Sequence, residues 1–226
     1  MNCIFCGIVT LFLLFILWIL FKLSSKRPHK QLKKTHKILI LGSAPYMKSW
    51  VKDHLQWFEK NNYHIVTFNN SWKLVPDISK IIWHSSNDHS IAGTYVPSNQ
   101  EKTKFLKYII HNDTDKSNVL YKRFVTTMFL NIIYHYIYNH IIEKKHHLHI
   151  VVIGCDMIYK KEKDTFYSDI PGNKAANDPI IRLGDERLND ELVHSLKLCK
   201  SNQIDIYNAS EHESRLPYPR FRNHLT

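Results

Sequence analysis

Glycine, proline and cysteine are scarce in this chain, with 6, 8 and 4 among 226 residues. So little glycine and proline excludes a collagen-like or low-complexity architecture, and so few cysteines exclude a disulfide scaffold. Acidic residues are missing from the first 40 positions, where Lys22, Lys26, Arg27, Lys30, Lys33, Lys34 and Lys37 stand unopposed. The rest of the chain carries 24 basic against 20 acidic residues, so most of the net charge of +11 belongs to one short stretch. A nucleic-acid binder needs its positive charge on the folded domain, so no nucleic-acid partner is expected. With 44% hydrophobic and 23% charged residues, the remainder suffices for one domain with a real core.

Charge of either sign is also absent from Met1 to Phe21, and Ile4–Phe21 is almost wholly apolar. Eighteen helical residues span about 27 Å, enough for the hydrocarbon layer of a bilayer. Neither a basic leader nor a small-x-small cleavage site accompanies the run, which disfavours a removed signal peptide. Residues 1–23 are therefore expected to be a transmembrane anchor and 24–36 a basic linker, with a folded domain over 37–226. Trp18 would sit at the membrane interface. The basic flank after the helix favours a domain on the cytoplasmic side, lying against anionic lipid, with a luminal type II orientation as the alternative. Cys3 and Cys6 flank the helix as possible acylation sites or plain small apolar residues. Cys155 and Cys199 read as buried thiols.

Past the linker, short apolar runs alternate with helical patterns. Strands are expected at 37–41, 64–68, 80–83, 107–110, 149–153 and 204–207. Helices are expected at 46–60, 126–145 and 188–201, and polar loops at 85–99 and 157–185. Continuous apolar strands separated by helices point to an α/β domain whose parallel sheet is covered on both faces, a single Rossmann-like layer fold. In such sheets ligands bind beyond the carboxyl ends of the strands. The first strand ends in Gly42-Ser43-Ala44-Pro45 before a helix, where small residues and free N–H groups suit a phosphate. No further glycines follow, so this is not the dinucleotide fingerprint. The second strand ends in Asn69-Asn70-Ser71, whose amides suit a ribose, base or sugar, or simply make a turn. The fifth ends in Gly154-Cys155-Asp156, which puts an acid at the same edge.

In their order, these pieces resemble the sialyltransferase-like glycosyltransferases, including the bacterial lipo-oligosaccharide sialyltransferases. The resemblance is carried by Ile38–Pro45, by Val66–Ser71, by Thr126-Thr127 opening a long helix, and by Ile153–Tyr159 with the loop behind it. It implies a GT-A variant that transfers a sugar from a CMP-sugar or related nucleotide-sugar donor, inverting and without a metal cofactor. The acceptor would be a glycan, glycolipid or glycoprotein. By the match, Gly42, Ser43, Ala44, Asn69 and Asn70 line the nucleotide, and Thr126 and Thr127 reach the donor sugar or phosphate. Gly154 and Asp156 border the cytidine, and Tyr159 and Tyr167 face the leaving phosphate. The family's histidine base before the last helix is replaced by Arg182-Leu183-Gly184-Asp185-Glu186-Arg187. Asp185 becomes the candidate base, with helix capping as its other reading, and His212 is a second candidate base.

Competing signals are weaker. Asp113-Thr114-Asp115 has the form of a metal-holding pair in ordinary GT-A enzymes, which would bring Mn²⁺ or Mg²⁺. His146-His147-Leu148-His149 lacks the spacing of a structural zinc site and reads as solvated or stacked histidines. Asn69, Asn112 and Asn208 open glycosylation sequons that matter only for a luminal domain. Two further alternatives are a catalytically silent, membrane-tethered domain that binds nucleotide or glycan, and a pyrophosphokinase-like relative with the same first turn.

Overall fold

The computed structural model describes residues 35–87, 98, 100, 108–111, 128–143, 147–158 and 185–222. All of these belong to the compact unit Thr35–Thr226. The predicted anchor and residues 24–34 of the predicted linker lie outside the described residues, among which no helix is long and apolar enough to cross a membrane, while Thr35 and His36, expected in the linker, open the first strand because they pair with His147 and Leu148.

Among the described residues, six strands form one sheet: β1 (Thr35–Leu41), β2 (His64–Phe68), β3 (Ile81–Asn87), β4 (Tyr108–His111), β5 (His147–Ile153) and β6 (Asp205–Asn208). Their spatial order is β4-β3-β2-β1-β5-β6, and every neighbouring pair is parallel. The α/β parallel-sheet reading thus holds. Three helices are described between them: α1 (Met47–Lys60), α2 (Met128–Glu143) and α3 (Asp185–Ser201).

Side-chain alternation explains why β1 and β5 are apolar throughout. Ile38 and Ile40 join Ile150 and Val152 on one face, packed with Phe129, Ile133 and Ile137 of α2 and Leu188 and Leu192 of α3. Leu39 and Leu41 join Val151 and Ile153 on the other, against Met47, Trp50, Val51, Leu55 and Phe58 of α1. A strand roofed on both sides has no face left for polar residues, so its sequence reads as a continuous hydrophobic run. In α1 the buried positions recur three and four apart, the stripe that a helix needs to lie on a sheet. It ends where Asn61 Nδ2 donates to Trp57 O at 2.8 Å and Asn62 turns left-handed, with φ 60°.

The structure departs from the expected boundaries mainly at β3. A polar loop is expected from Ser85, yet the strand continues to Asn87. The polar residues survive there because the sheet pairs them. Thr67 lies opposite His84, and its Oγ1 is 2.9 Å from His84 Nδ1, both buried. The last helix begins at Asp185 instead of Leu188, and β5 starts two residues early, at His147. Cys155 and Cys199 are buried as expected: Cys155 is raised well above its ordinary pKa and Cys199 pushed up to about 12, each by desolvation.

Candidate functional site

The strand order reverses direction beside β1. The chain steps outward from β1 through β2 and β3 to β4, then returns to the other side of β1 with β5 and β6. α1 after β1 and α3 after β5 pack on opposite faces of the sheet, the switch-point arrangement beside which parallel sheets bind ligands. The residues at that junction are Gly42, Ser43 and Ala44 after β1, and Gly154, Cys155 and Asp156 after β5. Asn69 and Asn70 follow β2, the next strand along the same edge.

The two strand ends are locked together through their backbones. Gly42 N donates to Ile153 O at 2.7 Å, and Ala44 N to Gly154 O at 3.1 Å. A Cβ at Gly42 would lie 2.1 Å from Gly154 O and 2.7 Å from Cys155 Sγ, so no side chain fits. Gly154 adopts φ +74°, and a Cβ there would lie 2.6 Å from Met47 Sδ. The demand for glycine thus comes from the β1–β5 contact at Gly42, and from the left-handed backbone and the Met47 side chain of α1 at Gly154. Ser43 is half-buried and Ala44 buried at this junction. The first turn of α1 holds no acid, so its helix-end positive potential is not neutralised from within.

Asp156 is the most constrained polar group at the edge. Only 8% exposed, its carboxylate accepts a hydrogen bond through Oδ2 from the Tyr46 hydroxyl, while Oδ1 has no hydrogen-bond partner among the described residues. Tyr46 has one proton to give, and the charged carboxylate is its stronger acceptor. Its oxygen also lies 2.9 Å from Ser210 Oγ, whose hydroxyl closes the chain. Desolvation and the bond to Asp156 hold the Tyr46 phenol far above its ordinary pKa of 10.0, so it stays a donor.

A strap from Ala209 to Phe221 begins at this end of the sheet and finishes with Phe221 packed against Tyr63, His149 and Tyr207. It is pinned by Ala209 N to Val152 O at 2.9 Å, by Arg215 N to Asp156 O at 2.9 Å, and by Asn208 pairing with Arg220. Within it the His212 ring stacks on Tyr46 at 4.2 Å between centroids. The His212 backbone is held from both sides, its N donating to Ser210 Oγ at 3.2 Å and its O accepting from Arg220 Nη2 at 2.8 Å. An exposed histidine is thereby fixed against the ring of Tyr46.

The predicted site residues divide as follows. Gly42, Ser43, Ala44, Gly154 and Asp156 meet at one junction. Asn69 stands half-buried on the neighbouring strand end with φ 48°, while Asn70 is buried at 2% exposure. Ser71 Oγ accepts from Phe68 N at 3.0 Å and donates to Phe68 O at 2.9 Å, which stops β2 and starts the short 3₁₀ helix Asn69–Leu74. Asp185 is the first residue of α3, a helix that begins at the carboxyl edge because it links two parallel strands. Arg215 ties the start of that helix to Asp156, with Nη2 3.1 Å from Asn189 Oδ1. Thr126, Thr127, Tyr159, Tyr167, Asp113 and Asp115 lie outside the described residues.

Sequence reasoning missed Tyr46 and Ser210. Tyr46 directly follows the Gly-Ser-Ala-Pro turn, and that position was its signal; Ser210 carried none. Of the sequons, Asn208 is 1% exposed and its Oδ1 accepts from Ser210 N at 2.9 Å, so folding closes it to a glycan. The histidine-rich stretch sits at the opposite edge of the sheet, where His149 packs edge-on against Tyr63 and at a tilt against Tyr207. No family model, curated protein or solved structure matches this chain.

Proposed function

We propose that the domain is a sialyltransferase-like glycosyltransferase of the GT-A variant kind, which takes a nucleotide-activated sugar at the β1–β5 junction. The observation that carries this reading is the coincidence of the sheet's switch point with Gly42–Ala44, Gly154–Asp156 and, one strand away, Asn69. A transferase of this kind needs a nucleotide cradle and a base that removes the acceptor hydroxyl's proton as the oxygen attacks the anomeric carbon. The nucleoside phosphate leaves from the opposite face with the bonding electrons. The small-residue turn and the start of α1, whose first turn holds no acid, suit the phosphate. For the base there are two candidates, Asp185 at the start of α3 and His212, fixed on the ring of Tyr46. The donor is proposed to be a CMP-sugar used without a metal, the acceptor a glycan, glycolipid or glycoprotein. Residues 1–23 are proposed to anchor the enzyme beside membrane-borne acceptors, which raises their effective concentration.

The test is a thermal-shift series on the full chain in detergent with CMP, UDP and GDP, followed by hydrolysis of a CMP-sugar. Stabilisation by CMP with EDTA-resistant turnover supports the reading; loss of turnover in EDTA transfers it to the Asp113/Asp115 metal-dependent alternative. Binding without turnover leaves the silent nucleotide-binding domain, and no response to any nucleotide defeats both.

A further inference from the structure

The strap that begins beside Asp156 ends on a histidine near the other end of the same strand. Phe221 packs its ring against His149 at 6.1 Å between centroids, with Tyr207 at 5.8 Å and Phe58 at 5.6 Å around it. The preceding residue, Arg220, reaches back along the strap: Nη1 donates to Ser210 O, and Nη2 to His212 O at 2.8 Å. Ser210 and His212 in turn touch Tyr46, the one through its hydroxyl at 2.9 Å and the other through its ring. Two consecutive residues thus join the ends of β5. Phe221 sits on His149, and Arg220 grips the backbone beside Tyr46.

The seat of Phe221 suits a neutral imidazole. His149 Nε2 lies 2.9 Å from the Tyr63 hydroxyl and Nδ1 lies 3.8 Å from Asp205 Oδ2. A neutral ring with its hydrogen on Nδ1, toward the carboxylate, accepts from the phenol at Nε2; a second proton turns Nε2 into a donor and sets a charge among three rings. Asp205 favours that charge but lies closer to His147 Nε2, at 2.8 Å. Lys37, opposite His149 in the register of β1, opposes it, as does a protonated His147. Burial, joined by these two cations, outweighs Asp205 and holds His149 below its ordinary pKa of 6.5. From α1, the uncharged Trp57 and Phe58 pack on Phe221, while His36 and His64 alternate onto the other face of the sheet. A charged His149 ring needs water. Tyr207 is built into β6 and Tyr63 is buried before β2, whereas Phe221 is half-buried on a strap outside the sheet, so Phe221 is the wall that yields.

We propose that Phe221 and Arg220 form an acid-released latch: protonation of His149 expels the Phe221 ring, Arg220 leaves with it, and Ser210 and His212 lose their hold at the carboxyl edge of the sheet. The latch couples the two ends of one strand through contacts between neighbouring residues. It does not depend on the nucleotide-sugar reading, and it makes the surroundings of Tyr46 looser below about pH 6.5 whatever binds there.

The experiment is residue-resolved amide hydrogen exchange on the full chain in detergent at pH 7.5 and pH 5.5, corrected for the intrinsic pH dependence of exchange. The amides of Ser210, His212 and Phe221, which donate to Asn208 Oδ1, Ser210 Oγ and Asn208 O, report the strap, and those of β1 and β5 report the sheet. Strap protection should fall severalfold at pH 5.5 while sheet protection holds. One proton on a group of ordinary pKa 6.5 sets a ceiling of about tenfold over that interval. His149→Gln should abolish the fall; its persistence there overturns His149 as the trigger. Phe221→Ala should exchange at pH 7.5 as the wild type does at pH 5.5, which keeps the test decisive should His149→Gln fold poorly. Retained protection of Ser210 and His212 in that variant overturns the latch. Arg220→Gln should expose Ser210 and His212 at both pH values with Phe221 still protected, and unchanged exchange at those two residues overturns the coupling. Equal loss in strap and sheet means that acid unfolds the whole domain, which overturns the proposal as well.

Discussion

The two ends of β5 each meet a carboxylate among aromatic and hydroxyl-bearing side chains, and the fold finishes them differently. At the amino end Asp205, half-exposed, lies 2.8 Å from His147 Nε2 and 3.8 Å from His149 Nδ1, and His149 Nε2 lies 2.9 Å from the Tyr63 hydroxyl. At the carboxyl end Asp156 is buried, tied through one oxygen to Tyr46 and, among the described residues, without a partner at the other. Water completes what the first cluster lacks. The second is closed to water and, among the described residues, incomplete. Completeness of hydrogen bonding distinguishes the two ends better than residue type, since both hold an aspartate and a tyrosine.

The contrast breaks most sharply at the glycine contact. Gly42→Ala forces a methyl into the Gly154 carbonyl and should cost more than about 4 kcal/mol, against a total stability of about 5–15 kcal/mol. Urea unfolding followed by far-ultraviolet circular dichroism measures this; a loss below about 1 kcal/mol would mean that the junction is looser than its geometry. Next comes Tyr46→Phe, which leaves both Asp156 oxygens without the phenol and should cost about 1–3 kcal/mol in the same assay. At the amino end Tyr63→Phe removes one bond to a histidine that water partly reaches, and should cost about 1 kcal/mol or less. If the two phenylalanine variants lose equal stability, the distinction between the ends fails.

The pH dependence sharpens the same comparison from the amino end. Desolvation lowers the His149 pKa below its ordinary 6.5, outweighing the pull of Asp205. The unfolded chain then binds a proton that the folded chain resists, so stability is complete above pH 6.5 and falls as the pH drops below it. His149→Gln should flatten that acid slope, measured as the urea midpoint between pH 7.5 and pH 5.5. Desolvation pushes Tyr63 up to about 12 from 10.0, so its contribution is complete below pH 10 and is lost as the pH rises through about 12. Tyr63→Phe should remove part of that alkaline loss, the smallest of these effects.

Much of the fold was legible along the chain. Lys37–Leu41, His64–Phe68 and His149–Ile153 announced strands because both faces of each are covered, leaving no polar alternation to confuse the pattern. His84 and Ser85 hid the rest of β3, because a polar residue in a strand reads as a loop until the partner that satisfies it, here Thr67 for His84, is in view. The small-residue turns and the acid after β5 were visible as edge residues. Tyr46 was passed over because an aromatic at the start of an amphipathic helix reads as packing.

Local pattern by itself determined which segments became strands and helices, because hydrophobic periodicity and turn chemistry act over a few neighbouring residues. It also determined that the strand ends would carry glycine, serine, asparagine and aspartate. Only the tertiary structure decided that β1 lies between β2 and β5, that Gly42 must face Gly154, and that Tyr46, Asp156 and Ser210 share one chain of hydrogen bonds. Neighbour choice in a parallel sheet depends on how whole helices cover its two faces, an interaction between segments about 100 residues apart that no window on the sequence contains.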